Sequence, residues 1–247
     1  MKQRYFIYLS YKGTNYCGWQ IQNNEQTIQG TLQNAFSLKL GEKINITGAG
    51  RTDTGVHANY FVAHFDTAKI INDNFVYSIN TFLPNDIVIN KIIKVKSDAH
   101  SRFDAISRTY KYYINTKKNP FNFDYSLLVL QKLDINKMND ACKILFKYDD
   151  FTSFSKLHTD TKTNNCKIFD AKWNKLNNQL IFTITANRFL RNMVRAIVGT
   201  MLDIGKNKIS INEFEDIIKS KNRQLAGHSA KAKGLFLDYI NYPKNFF

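Results

Sequence analysis

Apolar positions recur along the chain with two periods, near 2 and near 3.6, and the changes between them predict the elements. Gln3 to Tyr11 carries the alternating pattern of a strand. Thr27 to Leu40, "TIQGTLQNAFSLKL", sets Ile28, Leu32, Ala35 and Phe36 on one side of an amphipathic helix. The short β-rich runs "KINIT" and "NYFVAHF" flank a glycine-rich segment. Asp73 to Phe82 predicts a helix, and strands are expected over Asp86–Lys96 and Ser107–Thr116. Then comes a basic, polar stretch, Lys117 to Asn122, broken by Pro120. Beyond it the pattern predicts a helix over Asp134–Tyr148, strands at "KIFDAKW" and "QLIFTITA", and a long helix over Arg188–Asp203. A helix over Ile211–Ser220 and a strand over Gly234–Tyr242 follow.

Strands and helices mix without strict βαβ alternation, and short loops join many neighbouring strands. That pattern predicts an α+β architecture with largely antiparallel sheets. The Lys117–Asn122 stretch is the best hinge candidate, so two domains are expected, residues 1–116 and 117–247. Their element content is similar, without a sequence repeat.

Composition narrows the partners. Against 20 Asp and Glu the 247 residues carry 35 Lys and Arg, a formal charge of +15. That excess points to a polyanion, either nucleic acid or an anionic membrane. Cys17, Cys142 and Cys166 are scattered, odd in number and contain no C-x-x-C pair, which argues against a disulfide framework and a structural zinc. The N-terminal "MKQRYFIYLSYKG" lacks signal-peptide anatomy. The longest apolar stretch, "FLRNMVRAIVGTML", holds two arginines and is too short to span a bilayer. A soluble cytoplasmic protein with no metal and no membrane span is expected.

The segment Ile46–Ala58, "ITGAGRTDTGVHA", concentrates three of the eleven glycines around one Arg-x-Asp. A dinucleotide fingerprint starting at Gly48 needs glycine where Asp53 stands, and no G-x-x-x-x-G-K-[ST] occurs. A carboxylate at the centre would also repel phosphate. The loop instead suits a mount for a reactive Asp53, with glycines allowing close approach and Thr47, Thr52 and Thr54 tying it down. An Asx-turn between two strands would place an aspartate in the same way, and spacing alone does not separate the two.

"GAGRTDTGVHA" resembles the signature of the TruA family of tRNA pseudouridine synthases. The resemblance recurs in order along nearly the whole chain, through "YKGTNYCGWQIQ", "TIQGTLQ", "INTFLPNDIVI", "AHSRFDAISRTYKYYI", "DFTSF", "ANRFLRNMVRAIVGTML" and "AKAKGLFLDYINY". Thr54 and Ser101 depart from the family pattern, and neither is expected to touch the chemistry. The resemblance implies the pseudouridine synthase fold, with two similar α/β domains of mixed, largely antiparallel sheets flanked by helices and a cleft between them. It further implies a homodimer that takes a tRNA anticodon stem-loop and modifies uridines at positions 38, 39 and 40.

By that resemblance Asp53 is the catalytic nucleophile, Arg51 serves base flipping, Tyr110 stacks on the target base with a possible share in proton transfer, and Arg195 pairs with Asp53. At about 100° per residue, Arg188, Arg191 and Arg195 would share one stripe of the long helix, opposite a buried face of Leu190, Met193, Ile197 and Met201. Such a stripe is also what a solvated helix surface looks like. Tyr112 and Tyr113 share the strand of Tyr110, so alternation alone does not choose among them. Whether Asp53 attacks C6 of the base or acts at C1′ stays open. Isomerisation conserves atoms and electrons, so no cofactor is expected. His57 and the other four histidines lack ligand spacing and read as packing or RNA-contact residues. A non-catalytic RNA-binding module would suit the charge but has no use for the mounted aspartate. A glycoside or nucleoside hydrolase would in most cases need a second carboxylate, and nearby Asp66 has no distinctive context.

Overall fold

The computed structural model describes residues 2–156, 163–244 and 246. In chain order the strands and α-helices are β1 (Gln3–Tyr11), α1 (Ile28–Leu40), β2 (Thr47–Gly48), β3 (His57–Thr67), α2 (Asp73–Phe82), β4 (Ile87–Val95) and β5 (Ser107–Asn115). There follow β6 (Leu127–Leu128), α3 (Ile135–Leu145), β7 (Ile168–Leu176), β8 (Gln179–Ala186), α4 (Met193–Gly205), α5 (Ile211–Ser220) and β9 (Leu235–Asn241). This is the mixed α+β, largely antiparallel architecture that the alternation predicts. The chain forms two compact units: residues up to Ile106 with those from Leu237 onward, and Ser107–Phe236.

In the first unit the strand order is β4-β1-β3-β9, with β2 paired to β3. β1 and β3 run antiparallel, pairing Tyr5 with Phe65 and Leu9 with Phe61. β1 is buried along most of its length because both of its faces are covered. On one face Phe36 of α1 packs edge-on against Phe65 at 5.2 Å and Phe75 of α2 at 5.6 Å. On the other, Phe6 meets Tyr242 at 5.8 Å and Phe246 at 5.7 Å. Each buried phenyl contributes roughly 2–3 kcal/mol of transfer free energy. Thr27 caps α1 by accepting from the Gly30 N–H, and Gly41 ends it in the left-handed region.

In the second unit β5, β8 and β7 form an antiparallel run in that order, with β6 parallel to β5. Trp173 of β7 stacks on Phe182 of β8 at 4.9 Å, and its indole N–H donates to the Met201 sulfur of α4 at 3.3 Å. Helix α4 is buried nearly all round rather than on one stripe. A reciprocal capping box between Ser210 and Glu213 starts α5.

Two differences from the predicted layout matter. The long helix begins at Met193, not at Arg188, because Asn192 sits in the left-handed region at φ 67°. Asparagine enters that region more readily than most residues, and its amide donates to Ser229 Oγ at 2.6 Å. Arg188 and Arg191 therefore precede the helix, and the three-arginine stripe does not form. The expected hinge Lys117–Asn122 falls inside the second unit. There Pro120 opens a 3₁₀ turn, Pro120–Tyr125, whose Phe121 N–H is capped by Asn119. Where one division after residue 116 was expected, the units change over after Ile106 and again after Phe236.

Candidate active site

In the first unit a second loop, Tyr11–Trp19, grips the segment that bears Asp53. The Trp19 N–H donates to the Thr52 carbonyl at 3.2 Å, and the Gly55 N–H to the Tyr16 carbonyl at 3.3 Å. The hydroxyls of Tyr11 and Thr52 lie 2.9 Å apart, and the Gly13 N–H donates to His57 Nδ1 at 3.1 Å. A bond from the Val56 N–H to the Asp53 carbonyl, 3.1 Å, closes the turn itself. Gly18 makes the grip possible: at φ +80° it turns its backbone against Thr52, where any β-carbon would collide with the Thr52 carbonyl oxygen. Tyr16 is fixed in turn by donating to Asp86 Oδ1 at 2.6 Å. Asp53 emerges half-buried from this clamp, and Arg51, two residues before it, is exposed.

The second unit holds the other two predicted site residues. Tyr110 lies on β5 opposite Ile184, half-buried, with its ring edge-on to Phe189 at 5.1 Å. Tyr112 is fully buried and donates its hydroxyl to the Lys231 carbonyl at 2.7 Å, while Tyr113 packs edge-on against Phe236 at 5.2 Å. Burial pushes the Tyr112 hydroxyl well above the ordinary tyrosine range, against a smaller opposing effect of Arg195. Arg195 lies in the first turn of α4. Its Nε donates to the Ala230 carbonyl at 2.7 Å, and its own carbonyl accepts from the Ala230 N–H at 2.9 Å. Arg51 and Asp53 thus belong to the first unit, and Tyr110 and Arg195 to the second.

A family model for tRNA pseudouridine synthase matches residues 7–104 and 141–243. The chain belongs to that family. It is 54% identical over 245 residues to the tRNA pseudouridine synthase A of Azobacteroides pseudotrichonymphae, covering 99% of this chain and 98% of the relative. Identity to the synonymous protein of Bacteroides fragilis is 52% over 248 residues, covering 99% and 98%, and to that of Clostridium acetobutylicum 39% over 237 residues, covering 95% and 97%. The stretches that the tRNA pseudouridine synthase model matches include Arg51, Asp53 and Arg195, while Tyr110 lies between them. Among the described residues no group of three or more His, Cys, Asp or Glu is placed to hold a metal ion. Nor is any helix among them long and apolar enough to cross a membrane.

What sequence reasoning missed in this family member is the clamp. The signal for it was present in "YKGTNYCGW", where two glycines bracket an aromatic, but nothing local tells which segment such a loop holds. Ser101 is a second case. It is fully buried, with its Oγ 2.8 Å from His64 Nδ1 and 3.0 Å from the Thr47 carbonyl, so it braces the entry to the glycine segment.

His64 itself is buried, and its pKa falls to about 4 through desolvation first, then the nearby Arg4 guanidinium and His100. Between about 4 and the ordinary value near 6.5 the unfolded chain binds the proton that the folded imidazole refuses, so stability falls as pH drops through that window. Urea titrations are expected to show wild type losing about 2 kcal/mol more than His64→Gln between pH 7 and 4.5. Equal losses would mean that His64 is not held neutral.

Proposed function

We propose that this chain isomerises uridine to pseudouridine at positions 38, 39 and 40 of the tRNA anticodon stem-loop, with Asp53 as the nucleophile. The observation that carries the reading is the half-buried carboxylate held on a clamped turn in a member of the tRNA pseudouridine synthase family. The C1′–N1 bond breaks, the uracil turns, C5 joins C1′, and the proton leaving C5 is balanced by one gained at N1. Asp53 acts at the sugar–base junction, either on C6 or on C1′. Arg195, whose Nε is held by the Ala230 carbonyl, is the proposed partner of that carboxylate.

A stacked uridine must swing out before it reaches the carboxylate, at a cost of a few kcal/mol. Exposed Arg51 takes the space the base vacates, and Tyr110 stacks on the everted ring. The rest of the stem-loop is held through phosphates and shape, for which the charge of +15 is suited, since side chains cannot read the deep A-form major groove. The working form is a homodimer in the cytoplasm.

The reading is tested with tRNA transcripts carrying C5-tritiated uridine at only one of positions 38, 39 and 40. One tritium is expected to be released per transcript from each, with the base retained in the chain. Release of free uracil would make the protein a hydrolase, and tight binding with full retention of label would make it a binding module.

A further inference from the structure

Between β4 and β5 the first unit carries a short turn, Ser101–Asp104, that presents an aromatic ring to solvent. Phe103 is 73% exposed. A lone surface phenylalanine needs no explanation, but this one is built in. The His100 imidazole lies against it at 4.2 Å, tilted by 33°, and the Arg102 guanidinium sits 5.6 Å over the ring. The backbone beneath is fixed: His100 Nδ1 accepts from the N–H groups of Arg102 at 3.1 Å and Phe103 at 3.3 Å. Asp104, the acid of the turn, accepts from the His100 N–H at 2.7 Å. Ser101, next to His100, is bonded to His64 and to Thr47, so the start of the turn is tied to the segment that leads to Arg51 and Asp53.

An exposed ring backed by an imidazole, on a hydrogen-bonded turn and beside a guanidinium in a strongly basic chain, has the chemistry of a nucleobase platform. Stacking serves any base, and a neighbouring cation serves its phosphate. An apolar protein partner would gain nothing from the guanidinium at the ring face. We propose that Phe103, backed by His100 and flanked by Arg102, stacks on an unpaired base of the tRNA, one other than the uridine being isomerised. This rests on the reading that the chain acts on tRNA. It makes Phe103 a residue of substrate affinity, not of the chemical step.

The test measures tRNA affinity in the Asp53→Asn protein, where turnover does not interfere. Adding Phe103→Ala is expected to weaken binding about tenfold, and adding Phe103→Trp to hold it within about twofold of the parent. Trp19 and Trp173 are 2% and 3% exposed, so emission from the new indole reports the surface, and tRNA is expected to quench it. With Asp53 restored, the loss in Phe103→Ala falls on KM and not on kcat. Affinity of Phe103→Ala within twofold of the parent, an unquenched indole, or a changed oligomeric state in gel filtration would each overturn the platform. If the parent itself fails to bind tRNA, the substrate reading falls and takes this one with it. If Asp53→Asn proves active, only the nucleophile is lost.

Discussion

Asp53→Asn is expected to lower kcat for pseudouridine formation by at least about 10³-fold, in the range seen when a nucleophile is removed. The substitution is nearly isosteric. The contacts described around the turn use the backbone of Thr52, Asp53, Gly55 and Val56, the Thr52 hydroxyl and the His57 imidazole, and all of these groups are present in the variant. What disappears is the charge and the attacking oxygen. Single-turnover tritium release measures the loss, with thermal denaturation as the check that the variant is folded. An undiminished rate would remove Asp53 from the chemistry.

Gly18→Ala is expected to cost about 10²-fold in kcat, although Gly18 is not itself proposed to meet substrate. The β-carbon brings two penalties. It forces a side chain into the left-handed region, worth roughly 1–2 kcal/mol, and it drives the Thr52 carbonyl away. Thr52 adjoins Asp53, and a displacement of about 1 Å at a reacting group is enough for a loss of that size. Gly41→Ala separates the two effects. Gly41 also has positive φ, +65°, but nothing lies within 4 Å of its would-be β-carbon. It is expected to lose about 1–2 kcal/mol of stability with kcat unchanged. Equal kcat losses in the two variants would show that the clamp around Asp53 does not set its geometry.

Those glycines show how unevenly the site can be read from the chain. Helices α2 and α5 have the predicted bounds because their signals are local: an apolar period, an Asn72 or Ser210 cap, and a stop at Pro84 or at Lys221–Asn222. The start of α4 is hidden because Leu190 and Met193 continue the apolar period across Asn192, and the contact that breaks it comes from Ser229, far along the chain. Alternation left Tyr110, Tyr112 and Tyr113 equivalent. Burial sets Tyr112 apart, enclosed and bonded to Lys231, while Tyr110 and Tyr113 each keep an open side. Asp53 stood out through its glycines, but its clamp is built from distant backbone, which leaves no periodic trace. Ser101 departs from the family pattern and is not expected to touch the chemistry, and its bond to the Thr47 carbonyl is visible only in the fold.

Strand β9 joins the first unit although roughly 170 residues separate it from β3, its neighbour in the sheet. At ribosomal speeds of about 5–20 residues per second, β3 waits on the order of ten to thirty seconds with the flank away from β1 paired only by the two residues of β2. An open strand flank invites pairing with other nascent chains. Translation rate and chaperone supply therefore bear on the yield of this protein more than the stability of the finished fold would suggest.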